Sequence, residues 1–307
     1  MSSERWSLLF HEPSSIKTVV SSIVGVQSRA EFQVKKLQKE GGVRCTYLCV
    51  DITDLSKVCC VSSRLCVDET KNVDDGISFV LDLKEMLTAL KCMQQRFTIE
   101  ISGKKNETII DIRGFDSNDS SRDTVCSLNT RIAEETNFRP PLFDYNFQLE
   151  IDLNMLKDTL NHGKAMSAEL VKLQVYTESS SSNNTKCATR FICEGSSTIT
   201  DTMRCITEED DDGSIRIKSA DDIDNFPCLE NMKNIYKGTF TSTNLQNFVI
   251  ALPGPPKSKL IANISKNMPL SLTYLLGDEV NKSYIKLLIA PRNMDDEEEN
   301  GDDNMED

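Results

Sequence analysis

The sequence has little of what enzymes and metalloproteins usually need. Only two of its 307 residues are histidines, His11 and His162, and they lie far apart in the chain. Its eleven cysteines form no Cys-x-x-Cys pair, whereas a structural zinc site takes about four ligands in clustered spacing. These absences argue against a histidine-based triad and a zinc site, so we expect no catalytic residue, no metal and no other cofactor.

Motifs for nucleotide binding and hydrolysis are also missing. The chain has no GxxxxGK[ST], GxGxxG, GxSxG or HExxH pattern, the local sequences that hold phosphates, expose a nucleophilic serine or bind zinc. The acidic run at Glu208–Asp212 is the nearest approach to a metal-binding carboxylate cluster. Because blocks of like charge are usually exposed, we interpret it as a solvated loop and expect a protein that is not an enzyme.

No apolar run reaches the roughly 18 uncharged residues of a membrane span, and no Arg-flanked apolar segment stands at the N-terminus. Several cysteines, including Cys59, Cys60 and Cys193, lie within apolar runs, as reduced buried thiols do. We therefore expect an intracellular protein that does not bind membranes.

The chain also lacks the excess of positive charge that is typical of nucleic-acid binders. Its net charge is −13, of which residues 294–307 supply −9, and we expect those residues to form a disordered acidic tail. The remaining charge of −4 allows DNA binding only if basic side chains are concentrated on one surface.

What the sequence does contain is one helical pattern repeated four times. Each copy has apolar residues at helical spacing, so each predicts a helix of about three turns with one buried face. The apolar sets are Ile16, Val19, Val20 and Ile23; Leu83, Met86, Leu87 and Leu90; Leu153, Leu156 and Leu160; and Leu245, Phe248, Val249 and Leu252. The expected N-caps are Ser14 or Ser15, Asp82, Asp152, and Ser242 or Thr243.

Alternating strand-like runs surround these helices, among them FTIEI, LVKLQVY, ATRFICEG and LSLTYLL. The helices stand at the start of groups of strands, which favours an α+β fold with antiparallel sheets and two helices in each half. Pro140-Pro141 interrupts the strand pattern. We therefore predict an N-terminal domain over 1–131, a connector over 132–145, a C-terminal domain over 146–293 and the tail over 294–307.

Several segments together resemble one known family. The C-terminal NMPLSLTYLL and YIKLLIAPRNMDDEE, the second helix LKEMLTALKC, the loop in VDITDLSKV and the strand ATRFICEG are similar to segments of the proliferating cell nuclear antigen (PCNA) family of DNA sliding clamps. In the loop, Asp54, Ser56 and Val58 match that family and Lys57 replaces a histidine. ATRFICEG resembles the edge strand of the family's second domain.

The resemblance implies two tandem clamp domains per chain and a homotrimeric ring whose helices surround duplex DNA. Such a clamp catalyses nothing, and it tethers DNA polymerase, clamp loader, flap endonuclease and ligase through short peptides during replication and repair. The expected location is the nucleus, or a viral replication site if the source is a large DNA virus. The alternatives are a checkpoint-type clamp subunit in a heterotrimer and a metal-dependent nuclease.

The resemblance assigns non-specific DNA contacts to basic residues of the helices. These residues are Lys17, Lys84, Lys91, Lys157 and Lys164. Met155 and Asp158 stand where the family's third helix has arginines, and the fourth helix has no lysine before Lys257. We therefore expect weak, salt-sensitive binding to DNA.

The resemblance also assigns a pocket for partner peptides beside the end of the last strand. The matching residues are Val58, Phe138, Leu142, Pro269, Leu288, Ile289, Ala290 and Pro291. Pro291 has no N–H to continue a strand, and the acidic tail beyond it would speed the binding of peptides flanked by Lys or Arg. Ring closure is expected between edge strands near Thr124–Thr130 of one copy and Ala188–Glu194 of the next.

Overall fold

The computed structural model describes residues 5–38, 44–74, 76–104, 107–116, 119–130, 140–178, 186–209, 215–219, 228–254, 259–276 and 283–292. Its helices are α1 (Pro13–Ile23), α2 (Leu83–Cys92), α3 (Leu153–Ala165) and α4 (Ser242–Ala251). The strands of the first half are β1 (Arg5–Phe10), β2 (Arg29–Gln38), β3 (Arg44–Thr53), β4 (Cys59–Cys66), β5 (Glu69–Lys71), β6 (Ser78–Asp82), β7 (Thr98–Lys104), β8 (Ile109–Asp116) and β9 (Asp119–Asn129). Those of the second half are β10 (Phe147–Asp152), β11 (Leu170–Thr177), β12 (Lys186–Glu194), β13 (Thr198–Glu209), β14 (Ile215–Ser219), β15 (Lys233–Thr241), β16 (Lys259–Ile264), β17 (Leu270–Leu276) and β18 (Ser283–Ile289).

The four predicted helices are confirmed, because their apolar stripes face the core. Asp82 and Asp152 cap α2 and α3 as expected: in the first turn, Asp82 accepts from two backbone N–H groups and Asp152 from one. The predicted serine or threonine caps of α1 and α4 are wrong: neither helix has a side-chain cap. In α1 the first residue is Pro13, whose fixed φ favours helix initiation without a cap.

The two halves repeat the same order of elements. Each half runs strand, helix, three strands, a short strand, strand, helix and three strands, from β1 to β9 and again from β10 to β18, where a 3-10 helix (Leu229–Asn231) is added before β15. Neighbouring strands pair antiparallel, except that β14 pairs parallel with β10. The predicted α+β class with antiparallel sheets and two helices per half is therefore confirmed, while the domain boundaries stay a prediction.

All nine described strands of the second half and four of the first form one continuous sheet. Its order is β15-β11-β12-β13-β14-β10-β16-β17-β18-β4-β3-β2-β6, and a second sheet has the order β5-β1-β7-β8-β9. The halves join where Tyr284–Ile289 of β18 pairs antiparallel with Cys59–Arg64 of β4. We call this pairing the internal joint. On the helical side of the sheet, α1 contacts α4 at the same place.

Among the described strands, β5, β6 and β15 end a sheet, and two further strands also keep an open side. The first is β9, which pairs only with β8 and ends its sheet. The second is β13, which pairs with β14 only from Cys205 onward and thus leaves Thr198–Arg204 open on that side.

The structure corrects two predictions from the sequence. Ala188–Glu194 is not an edge, because β12 pairs with β11 on one side and β13 on the other. Glu208 and Glu209 are not loop residues but end β13, where they pair with Arg216 and Ile215 of β14. The remaining acids of that run, and the tail over 294–307, lie outside the described residues.

Candidate nucleic-acid and peptide interfaces

Lys17 and Lys157 occupy matching places in the two halves and make matching contacts. The Lys17 ammonium donates to the backbone oxygen of Met93, the C-cap of α2, over 2.8 Å. The Lys157 ammonium donates to the backbone oxygen of Leu252, the C-cap of α4. Each lysine therefore links the first helix of its half to the C-terminal end of the second helix of that half, where a positive charge is favourable. Burial lowers the pKa of both groups.

The other three predicted DNA contacts are exposed. Lys84 and Lys91 lie seven residues apart on α2, so they project from one face of that helix, roughly opposite the completely buried Met86. Lys164 lies in the last turn of α3. At the places in α4 that match Lys84 and Lys91, the chain has Thr243 and Ile250, both exposed. The positive charge of the helices is therefore uneven.

The described part of the chain has no cluster of metal-ligating side chains, and most of its strand cysteines are buried. No group of three His, Cys, Asp or Glu residues there could hold a metal ion. The cysteines of the strands are mostly buried, and burial raises the pKa of the thiols of Cys59, Cys60 and Cys187 to about 12. Thiols of such high pKa are poor nucleophiles at neutral pH. Within the described ranges, no helix is long and apolar enough to cross a membrane.

A tight turn brings the predicted peptide pocket together. Asp54 closes the turn after β3, because its Oδ1 accepts from the Cys59 N–H over 2.9 Å. Within the turn, Lys57 has a φ of 58°, an uncommon conformation for a side-chain-bearing residue. The Ala290 N–H donates to the Val58 oxygen over 2.8 Å. The loop and the end of β18 therefore form one wall.

The chain continues from this wall toward β15. Pro291 is half-buried, and the Arg292 N–H donates to the backbone oxygen of Thr239 over 2.8 Å. On the other side, Pro269 directly precedes Leu270, which pairs with Ile289. Half-buried Val58, Pro269, Ala290 and Pro291 thus lie around the start of β4, the start of β17 and the end of β18. We call this surface the peptide groove.

Searches with the sequence and with the structure give different results. No family model matches the sequence, and no curated protein matches it. The crystal structure of PCNA from Thermococcus kodakaraensis is similar with a TM-score of 0.67 and 16% identity, covering 94% of this chain and 100% of that one. PCNA from Entamoeba histolytica is similar with a TM-score of 0.66 and 15% identity, covering 94% and 98%. The chain has the sliding-clamp fold of PCNA.

Within this PCNA-like fold, the predicted pocket residues differ in accessibility. Leu288 is nearly and Ile289 completely buried, so neither side chain offers much surface to a peptide. Leu142 is 97% exposed, and Phe138 lies outside the described residues. Sequence reasoning missed Leu55, which is 98% exposed in the turn; a leucine between Asp54 and Ser56 in a polar loop was the available signal.

Sequence reasoning likewise did not foresee how Lys17 and Lys157 are used in the clamp fold. Their bonds join residues 76 and 95 positions apart, and no local pattern reports such contacts. The family resemblance assigns both to DNA together with Lys84, Lys91 and Lys164. An ammonium has three donors, so one bond to a carbonyl leaves capacity for a phosphate.

Proposed function

We propose that the protein is a DNA sliding clamp. Three copies form a ring that encloses duplex DNA and binds it without sequence preference. The ring tethers DNA polymerase, clamp loader, flap endonuclease and ligase during replication and repair. The chain itself catalyses no reaction in this role. In this proposal the protein is located in the nucleus, or at the replication site of a large DNA virus.

The observation that carries this proposal is the internal joint. In this joint, the last strand of the second half, β18, pairs with β4 of the first half. The counterparts of these strands in the repeat are β9 and β13, and each of them has an open side. Pairing β9 of one copy with β13 of the next would repeat the internal joint head to tail, and such repetition closes into a ring.

The repeat also predicts the register of that pairing. On the side of the last strands, the rows of paired residues that cross the two halves match. They are Leu8, Ile101, Ile112 and Cys126 in the first half, and Leu149, Ala262, Leu272 and Leu287 in the second. Cys126 and Leu287 are therefore counterparts.

On the accepting side, Ile199 pairs with Cys193 as Val61 pairs with Ile52. Since Leu287 pairs with Val61 in the internal joint, we expect Cys126 to lie opposite Ile199 of the next copy.

The ring is tested by its mass and by its behaviour on DNA ends. Native mass spectrometry should give a particle of three 34.5-kDa chains. After threading onto linear duplex, the protein should stay bound when both ends are blocked and leave when one end is opened, because a ring is held by topology and not by tight contacts. A monomer, or escape that ignores the ends, contradicts the proposal, and assembly only with different chains would favour the checkpoint-type alternative.

The peptide groove is the proposed docking site for partner enzymes. Half-buried Val58 and Pro269 and exposed Leu55 offer apolar contacts to the aromatic and aliphatic anchors of a short helix, and the chain after β18 offers backbone groups. Calorimetry with a Gln-x-x-aliphatic-x-x-aromatic-aromatic peptide should show binding that Val58→Glu weakens by at least tenfold.

The control for this measurement is Leu275→Glu. Leu275 is an apolar residue of β17 that is 43% exposed and is not part of the groove, so its substitution should leave peptide affinity unchanged. Equal losses in both variants would contradict the location of the groove. Ile289 is unsuitable for this test, because truncating a completely buried side chain destabilises the core.

A further inference from the structure

The repeat places matching helix contacts inside the chain and between copies. Within the chain, α4 meets α1 where Asn247 Nδ2 donates to the Gly25 oxygen over 3.4 Å. Asn247 stands six residues after Thr241, the N-cap of α4, and Thr88 stands six residues after Asp82, the N-cap of α2. Thr88 is therefore the counterpart of Asn247.

The same reasoning finds the counterpart of Gly25. Gly25 follows Lys17 by eight residues, and Ala165 follows Lys157 by eight, the two lysines being equivalent by their contacts. In the ring of the proposed function, on which this inference rests, Thr88 of one copy would meet Ala165 of the next. Ala165 is exposed in the single chain, as a residue waiting for such a neighbour would be.

The surroundings of the two contacts differ in charge. Around the internal contact stand Thr243 and Ile250 of α4 and Val24, seven residues after Lys17. None of the three is charged. Their counterparts around Thr88 and Ala165 are the three exposed lysines Lys84, Lys91 and Lys164.

Two acids belong to the same helices and partly offset these lysines. Glu85 follows Lys84 on α2, and Asp158 stands seven residues before Ala165 on α3; both are exposed. Three lysines against two acids leave the contact between copies positive. Lys84 and Lys91 also face away from the core, whereas Glu85 projects about 100° to one side of Lys84. The face of α2 that is opposite the core is thus the positive one.

We propose that duplex DNA is held mainly at the three joints between copies, and not at the helix contacts within each chain. Phosphates attract lysines and release counterions when they are neutralised. Because each such patch draws Lys84 and Lys91 from one copy and Lys164 from the next, bound DNA bridges two subunits. A ligand that binds the closed ring more tightly than the open one stabilises the closed ring.

Subunit exchange measures this bridging directly. Rings labelled with two different fluorophores are mixed, and energy transfer is followed with and without a 30-base-pair duplex. We expect the duplex to slow exchange by about tenfold at low salt and to lose this effect as salt is raised, because binding to phosphates depends on the release of counterions.

Exchanging the residues at matching positions of α2 and α4 gives a pair of matched variants. The double variant Lys84→Thr with Lys91→Ile gives α2 the residues of α4, and its rings should exchange at the same rate with and without duplex. The reverse variant, Thr243→Lys with Ile250→Lys, adds the same charges at the internal contact. It should bind duplex more tightly while the duplex slows its exchange no more than in the unaltered ring.

The outcomes separate this inference from the proposed function. If the chain forms no ring in native mass spectrometry, the proposed function fails and this inference fails with it. If the ring forms and duplex slows exchange equally in the Lys84→Thr, Lys91→Ile variant, only the location of the DNA contacts is wrong. A duplex that leaves exchange of the unaltered ring unchanged also overturns the inference alone.

Discussion

The internal joint and the two open edges have the same place in the repeat but different side chains. On β18 the inward-facing residues of the joint are Ile285, Leu287 and Ile289, all completely buried. On β9 the matching residues are Thr124, Cys126 and Leu128, all half-buried. The first set is an apolar core, and the second is smaller and more polar.

The accepting strands differ in the same sense. Val61 of β4 is completely buried, whereas its counterpart Ile199 is half-buried. On β13, Asp201 also faces inward, where its carboxylate accepts from the Thr159 hydroxyl. Complete burial of one large aliphatic side chain contributes about 1.5–3 kcal/mol, so the internal joint is part of the stability of the single chain. A joint between copies that includes the polar Thr124 and Asp201 and the small Cys126 is suited to opening and closing.

The largest effect that separates the two joints is expected from a buried charge. Leu287→Asp places an unpaired carboxylate in the core, and such changes cost about 3–5 kcal/mol. We expect this variant to lose cooperative unfolding or to unfold at a much lower temperature. Cys126→Asp should keep nearly the same unfolding temperature at low protein concentration, because its strand is open to solvent, but should prevent assembly. Circular dichroism and sedimentation measure the two effects.

A third substitution controls for the presence of charge on β9. Val125 is 55% exposed and alternates with the inward-facing residues, so it points to the other face of the sheet. Val125→Asp should therefore leave assembly intact. If it prevents assembly as Cys126→Asp does, the inner face of β9 is not what the neighbouring copy contacts.

Helices and most strands were predictable from the sequence because their signal is local. Apolar spacing in α2, for example, reports the buried face that Met86 and Leu90 form. Pairing order is not local, which explains why β12 was mistaken for an edge: its alternating pattern does not say whether β13 lies beside it. The internal joint pairs residues more than two hundred positions apart and left no sign that could be read from composition or spacing.

The candidate site divides in the same way. The exposed positions of Lys84 and Lys91 follow from helical spacing and were predictable. The carbonyl contacts of Lys17 and Lys157 depend on where the end of a second helix lies, so the sequence could not distinguish them from the exposed lysines. The family resemblance located the loop and the end of β18 together, whereas the Ala290–Val58 hydrogen bond needed the structure.

A smaller effect is expected from truncating the accepting strands. Val61→Ala removes two methyl groups from a completely buried place and should lower the free energy of unfolding by about 1–2 kcal/mol, measured with urea. Ile199→Ala should lower that value by less than Val61→Ala does in the single chain, because Ile199 is only half-buried there. It should instead weaken assembly, seen as ring dissociation at a higher protein concentration. Equal effects of both variants on unfolding would contradict the contrast between the joints.

The smallest and most direct comparison uses two cysteines. Cys59 pairs with Ile289 in the internal joint and is nearly completely buried, whereas Cys126 is half-buried on β9. At neutral pH, iodoacetamide should modify Cys126 in dilute protein, spare it at concentrations where rings form, and spare Cys59 at both. Modification of Cys126 that does not depend on concentration would contradict its place in the joint between copies.

The same cysteine pair predicts how stability changes in alkali. Burial raises the pKa of Cys59 from 9.0 to about 12, so between these values the unfolded chain releases a proton that the folded chain retains. The contribution of Cys59 to stability is therefore complete below pH 9 and is lost as the pH rises toward 12. Because the buried Cys60 behaves alike, urea unfolding at pH 8 and pH 10 should show a loss of stability that Cys59→Ala reduces but does not abolish. Cys126→Ala should leave the loss of stability between pH 8 and pH 10 unchanged. If it reduced that loss as much as Cys59→Ala does, the thiols of Cys59 and Cys126 would not differ in burial, and the contrast between the joints would be wrong.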